Sequence, residues 1–517
     1  MSTSTETTES VPRMTAGLPA VPLLLLSRRR RIGVTAGVML GMFLAALEAT
    51  VVSTAMPTVV ASLGGIERYS WVFSAYLLTS TVTLPLWGKL SDLYGRRRLY
   101  QIGIAIFLVG SMLCGVSQTM TQLVAARAVQ GLGAGALVPL ALTIIGEIYT
   151  IQERSRMQGF FSGVWGLASV LGPLVGGYIT DQLSWRWVFF INLPFGLLAA
   201  LVIGFTLIEP KRTTRASIDY AGALSLTAAI TLLLFALVEG WHLWGWTGWQ
   251  TIAIFGVSLS AFGLFAWIEK HAAEPIVPFD LLFEHMFFTS TICGFLVGMA
   301  MFGAISFIPL LVQGVWGGSA TEAGSALTPL LLFWVLTSIV GGRILPRVGV
   351  RPLVIAGATL VTTGFVVLAN LPPSAPHIVL MADMGLMGVG MGLIMLTLII
   401  AVQSSVRRER LGIATSLSMF FRSIGGAIGV ASMGAVLAVS LSNKLGATAG
   451  VDANKLLDAN ERATMSPESL HAIAGALGAS LHYVFWIGAA AAALGLVAAF
   501  WLPQRLIVAT QAQSPEH

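Results

Sequence analysis

The chain alternates long apolar runs with short polar breaks. A run of about 18 or more apolar residues reads as a membrane helix, because that length crosses the hydrocarbon core at about 1.5 Å per residue. Fourteen such runs are predicted, over residues 33–57, 70–90, 99–117, 121–148, 157–180, 186–207, 218–239, 249–268, 286–312, 323–343, 352–370, 377–402, 411–440 and 480–502. Lipid offers no partner for backbone amides, so each run must satisfy its own hydrogen bonds as a helix. The expected fold is an all-α integral membrane protein with 14 transmembrane helices. An even number of spans puts both termini on one side.

One polar break returns along the chain. Gly88-Lys-Leu-Ser-Asp92-Leu-Tyr-Gly95-Arg96-Arg97-Arg98 has its frame repeated 254 residues later as Gly342-Arg-Ile-Leu-Pro346-Arg-Val-Gly349-Val-Arg351. Glu153-Arg154 and Glu409-Arg410 repeat at nearly the same offset. Parallel repeats are the build of rocker-type transporters, which handle substrate between the halves. Matching the two breaks pairs runs 1–6 with runs 9–14 and leaves runs 7 and 8 over. The expected organisation is therefore two six-helix bundles related by pseudo-symmetry plus an inserted helix pair. A tail covers 1–32, the first bundle 33–207, a linker 208–217, the inserted pair 218–268, the second bundle 286–503 and a final tail 504–517.

Composition excludes a soluble fold: 56% of the 517 residues are hydrophobic and 10% charged, and mean hydropathy is +0.84. The net charge of +6 is no nucleic-acid signal, because the cations sit in short breaks between apolar runs. Of the 29 Lys and Arg, 22 fall on the side of the N-terminus and five on the other. The positive-inside rule then places both termini in the cytoplasm, and the localisation expected is the cell (inner) membrane. Cys114 and Cys293 both lie in apolar runs and read as packing residues. The seven histidines are scattered, so no metal site is expected and no cofactor. Gly131 to Gly135 lacks the Lys-Ser or Lys-Thr that completes a phosphate-binding loop, which leaves an ion gradient as the energy source.

Charges inside the apolar runs are the candidate chemistry. Glu48 lies about nine residues, or 13 Å, from the far end of the first run, and Arg127 about 9 Å from the same end of the fourth. A charge at such depth costs about 3 kcal/mol or more, so it must pair, face a cavity or be neutral. The two depths match well enough for an ion pair, with Gln130 beside it; a purely structural pair is the alternative. Asp383 and Arg422 enter the twelfth and thirteenth runs from opposite faces and could converge as a second pair. Glu147 and Glu239 lie near run ends and read as interfacial. Trp241, Trp244, Trp246 and Trp249 read as an anchoring belt, with substrate contact as the alternative. In the connection 441–479, Ser466-Pro467-Glu468 reads as a helix start, followed by a short amphipathic helix that closes the structure, guards an exit or binds a partner.

Four segments carry a family resemblance. The stretch Gly88 to Arg98 resembles the signature loop of the major facilitator superfamily. Leu47-Glu48 to Pro57 resembles the helix-1 motif of its fourteen-helix drug:proton antiporter branch. Leu123 to Gly133, with Arg127 and Gln130, resembles the helix-4 motif linked to proton coupling, and Gly163 to Gly177 the helix-5 motif of antiporters. The chain departs where the family usually has Asp at Glu48 and Asn at Ser53, and the second loop has Pro346 where Asp92 stands in the first. The resemblance implies proton-coupled export of amphipathic, often cationic, drugs by alternating access, with no enzymatic activity; export of an endogenous lipid or metabolite and proton-coupled uptake are the alternatives, and a membrane-embedded enzyme or receptor the last of them. Proton coupling would fall to Glu48, Arg127 and Asp383, and substrate contact to Glu48, Gln130, Asp383 and Arg422. Gating would fall to Gly88, Asp92, Gly95, Arg96 and Arg97, and to Gly172, Pro173, Gly176 and Gly177. The partners expected are a small-molecule substrate, protons and the lipid bilayer, with no nucleic acid; the chain is expected to be a monomer, with 441–479 open to an accessory envelope protein.

Overall fold

The computed structural model describes residues 27–149, 151–208, 219–245, 247–272, 275, 277, 279–372, 374–406, 411–445, 462 and 465–504. Residues 1–26, 209–218, 446–461 and 505–517, and Glu409-Arg410, lie outside the described residues, as do the side chains of Asp92, Glu147, Glu153, Arg154 and Trp241 and all of Trp246. The long helices are α1 (Arg28–Leu63), α2 (Tyr69–Tyr94), α3 (Arg96–Val116), α4 (Met120–Ile148), α5 (Ile151–Gln182), α6 (Trp187–Thr206) and α7 (Tyr220–Phe235). They continue with α8 (Trp249–His271), α9 (His285–Val315), α10 (Ala320–Val348), α11 (Val350–Ala369), α12 (His377–Ser405), α13 (Leu411–Leu445) and α14 (Pro467–Ala499). The fold is all-α, and among the described residues twelve helices are long and apolar enough to cross a membrane. The two others have physical reasons for falling short. Helix α2 carries Thr79, Ser80, Thr81, Thr83 and Lys89, and α7 runs only 16 residues before a π turn at Ala236–Gly240.

The expected short amphipathic helix before the last run is not a separate element. Ser466 caps at Oγ, accepting from Ser469 N at 3.2 Å, Pro467 opens the first turn, and one helix runs unbroken to Ala499. Its distal turns are held because Ile473, Leu477 and Leu481 are buried in the core.

The contacts of α1–α6 return in α9–α14. Helix α4 packs on α2 and α3, and α1 on α5 and α6; α12 packs on α10 and α11, and α9 on α13 and α14. Small residues set the registers. Gly103 and Gly133 bring α3 and α4 together, as Gly357 and Gly390 do α11 and α12. Gly172 and Gly176 seat α5 on α1, as Gly425 and Gly429 seat α13 on α9. The repeated loop frame also has a backbone cause: Gly95 (φ 88°) and Gly349 (φ 90°) take the left-handed turn between paired helices. Between the halves, α5 meets α10 and α2 meets α13, while α7 packs on α8 and lies against α2 and α13.

Candidate functional site

The first residue of interest sits in the middle of α1. Glu48, Ser111, Arg127, Gln130 and Asn192 are each at most 2% exposed, on four different helices that meet inside the first bundle. Arg127 on α4 is ion-paired to Glu48 through Nη1, which also donates to Gln130 Oε1 at 2.7 Å. Its Nε donates to the Val72 carbonyl of α2 at 3.1 Å, and its guanidinium lies 4.2 Å from the Tyr76 ring centre. Gln130 Nε2 donates to Ser111 Oγ at 3.1 Å, and Ser111 Oγ donates to the Phe189 carbonyl at 3.0 Å. The carboxylate's other oxygen is held by Asn192 of α6, whose Nδ2 donates to Glu48 Oε2 at 2.6 Å and to Ser111 Oγ at 2.9 Å. Breaking a buried pair of this kind costs about 3–5 kcal/mol, because one charge is left without a partner in a dry site.

Sequence reasoning brought together Glu48, Arg127 and Gln130 and missed Asn192 and Ser111. Both are uncharged, and only a lone amide in the apolar stretch Phe190-Ile191-Asn192-Leu193-Pro194 marks the first of them. The second expected pair does not form. Asp383 is 6% exposed, lies between α12 and α11 beside Gly364, and has no hydrogen-bond partner on either oxygen. Arg422 Nη1 contacts Met395 Sδ at 3.4 Å and its Nε is buried without a partner. Met395 is twelve residues beyond Asp383 on α12, so the two charges are separated by about 18 Å of helix.

The helix-5 glycines divide between two neighbours. Gly172 and Gly176 lie on Thr50, Val51 and Thr54 of α1, whereas Gly177 lies on Ala320 and Thr321 of α10. The Pro173 carbonyl abuts Gly324 of α10, and α5 passes through Pro173 without a break. These contacts seal the two halves at the face away from Ser27 and Gln504, here termed the distal face. Gln313 of α9 adds to the seal, donating to the Thr54 carbonyl at 2.7 Å and accepting from Thr58 Oγ1 at 3.1 Å. In the repeated loop, Arg96 Nη1 donates to the Thr143 carbonyl of α4 at 3.1 Å, tying the α2–α3 turn to the bundle. Gly88 has open space around it, and Arg97 is half-buried.

Asp181, at the distal end of α5, was not anticipated. It accepts from Ala320 N at 3.0 Å, Thr321 N at 2.8 Å and Thr321 Oγ1 at 2.5 Å. Those amides open α10 and have no partner within their own helix, so a carboxylate from the opposite half caps them and meets the positive end of the helix dipole. Loss of such a cap costs about 1 kcal/mol, a roughly five-fold shift in a two-state equilibrium. Asp181→Ala is expected to raise the population with an open distal seam about that much. Spin labels at Gln182 and Ser325 read it as a gain of long distances; an unchanged distribution would show that the cap holds nothing shut.

The comparisons with known proteins agree with this architecture. The model of the Major Facilitator Superfamily matches residues 38–430. The chain is 41% identical over 409 residues to the multidrug transporter protein MdtP of Bacillus subtilis, covering 79% of this chain and 76% of that protein. It is 36% identical to multidrug resistance protein 3 of the same organism, covering 87% and 91%, and 32% identical to the efflux pump aunC of Aspergillus niger, covering 92% of each. Its backbone is similar to the crystal structure of a bacterial homolog of the human lysosomal transporter Spinster, with a TM-score of 0.66 at 17% identity, covering 92% of this chain and 98% of the other. With a family model matching most of its length and the repeated helix contacts beneath it, the chain belongs to the Major Facilitator Superfamily and is a multi-pass membrane transporter, not an enzyme.

Proposed function

We propose that the protein is a proton-coupled antiporter that exports amphipathic or lipophilic small molecules from the cytoplasm by alternating access, with Glu48 as its proton carrier. The direction and substrate class rest on the relatives named as multidrug and efflux transporters. One observation in this chain carries the coupling. The α11–α12 contact repeats that of α3–α4: Gly110 lies on Gln130, and Gly364 on Met387. At that register Met384 stands for Arg127, Met387 for Gln130 and Phe365 for Ser111, all buried. The second half therefore has methionine and phenylalanine where the first has Arg127, Gln130 and Ser111, with Asp383 beside Gly364. Buried ion pairs are often no more stable than apolar residues of the same volume. A buried ion pair found, among the described residues, in the first half is then explained by what it does.

The remaining roles follow from that reading. Arg127 holds the ionised form of Glu48, and Gln130 and Ser111 hold Arg127. Asp383, buried and without a partner, is a second site for a proton. Arg422 is the cation left to meet substrate. The helix-5 glycines and Pro173 form the distal gate, and the Gly88 to Arg97 turn, with Asp92, biases the opposite gate. Fourteen spans are proposed, with α2 and α7 among them, α7–α8 inserted between the bundles, the termini cytoplasmic, and the chain a monomer in the cell membrane. The contact pattern supports the two bundles, and the loop charges support the orientation. Transport by purified protein in liposomes, across an imposed pH gradient and with a panel of lipophilic dyes, tests the function. Substrate movement that ignores the gradient would overturn it.

The topology has its own test. A reporter fused after Gly245 is expected outside and one fused after Arg212 inside. If both report the same side, α7 does not span and the count is wrong.

A further inference from the structure

We infer that Asn192 is a positioning residue for proton coupling: its carboxamide holds Glu48 in both protonation states by offering it either end. The inference rests on the reading of Glu48 as the proton carrier. An ionised carboxylate only accepts hydrogen bonds, so the amide must face it with NH2. That is the arrangement present, with Nδ2 shared between Glu48 Oε2 and Ser111 Oγ. The other end of the amide is idle. Asn192 is 0% exposed, and its Oδ1 has no hydrogen-bond partner. A buried carbonyl left unpaired costs about 1–3 kcal/mol, so this side chain is retained in an arrangement that wastes half of it.

Protonation makes use of the idle half. A hydronium ion delivers its proton to Glu48 Oε2 and leaves as water, which turns an acceptor into a donor. Rotation of the carboxamide by half a turn then presents Oδ1 to the new O–H. Ser111 accommodates the same rotation, since its hydroxyl accepts from Nδ2 now and can turn its one proton from the Phe189 carbonyl to Oδ1. The proton removes the charge that attracts Arg127, whose Val72 and Gln130 contacts do not depend on Glu48. The other groups near the carboxyl are Tyr76 of α2, against the Arg127 guanidinium, and Cys114 of α3, which donates through Sγ to Gln130 Oε1 at 3.7 Å. Neither replaces the amide, because neither contacts Glu48 Oε2. Leucine has the same branching, is bulkier, and offers neither end.

The test combines infrared difference spectra of the purified protein, taken between acid and alkaline pH, with transport in liposomes. The protonated-carboxyl band that is lost in Glu48→Gln belongs to Glu48. In Asn192→Leu that band is expected to move, and proton-driven accumulation of a lipophilic dye to fall about tenfold, the loss of one buried hydrogen bond. Gradient-independent counterflow of the same dye is expected to stay within about two-fold of the unsubstituted protein. Asn192→Ala, which adds no bulk, carries the same reading if Asn192→Leu does not fold. A band and an accumulation unchanged in the Asn192 variants, with Glu48→Gln inactive, overturn the role of Asn192 alone. Uphill export by Glu48→Gln overturns the proton-carrier reading itself.

Discussion

Glu48→Gln is expected to bind and exchange substrate and to lose proton-driven accumulation entirely. Glutamine keeps the volume of the neutral acid and an amide oxygen that accepts from Arg127, which also keeps its Val72 and Gln130 partners, but it cannot release a proton. The site cannot substitute another group at that position, because α1 carries no second acid in its described span. The variant is thereby held in the state of the loaded carrier. Counterflow needs only the change of access and should continue, whereas export against a gradient needs a group that changes charge on each cycle. Glu48→Asp keeps the titratable carboxyl one methylene shorter and is expected to retain coupling, with a loss set by the longer reach to Arg127 and Asn192. The measurement is proton release on substrate addition, beside uphill transport of the same substrate. Full proton release from Glu48→Gln would move the coupling role to Asp383, which is also buried within a membrane helix.

Much of this site was legible before the structure, and what was not had particular physical causes. Glu48 and Arg127 stood out because a charge in an apolar run has few reasons to be there, and their depths could be compared from helical rise alone. Asn192 and Ser111 did not stand out, since a neutral polar residue is cheap enough in a helix to need no explanation. Asp383 and Arg422 show the limit of depth arithmetic. Both lie deep in adjacent runs, but which helix face each occupies and how far the helices slide past one another are set by packing, here by Gly364 and by Met395. The α2 stretch illustrates the converse. Its hydroxyl-rich sequence weakens the membrane signal, yet Thr79, Ser80 and Thr83 spend their hydroxyls on carbonyls one turn back, at 2.7–3.1 Å, and present little polarity to their surroundings. Asp181 was invisible for a different reason: a carboxylate at a run end is what any loop supplies, and only the tertiary fold shows that it caps a helix of the other half.

Removing one member of the buried pair and removing both are expected to have opposite consequences for stability. Arg127→Met leaves Glu48 dehydrated, without its cation, and with only the Asn192 amide on one oxygen. Stranding a buried charge in this way costs about 3–5 kcal/mol, which would leave little folded transporter in detergent at ordinary temperatures. The double variant Arg127→Met with Glu48→Leu removes the stranded charge as well. The second bundle has buried Met384 and Met387 at the register of Arg127 and Gln130, with Met387 and Asp383 against Gly364 and no cation among them. Most of the stability lost in Arg127→Met should therefore return in the double variant, although neither protein can couple a proton. Thermal unfolding in detergent measures the first quantity and uphill transport the second. The interaction between the two sites, read from the four corners of the cycle, should reach about 2–3 kcal/mol, as expected for residues in direct contact. A double variant no more stable than Arg127→Met alone would mean that the pair is part of the scaffold. The asymmetry between the two halves would then have to be explained by packing rather than by protons.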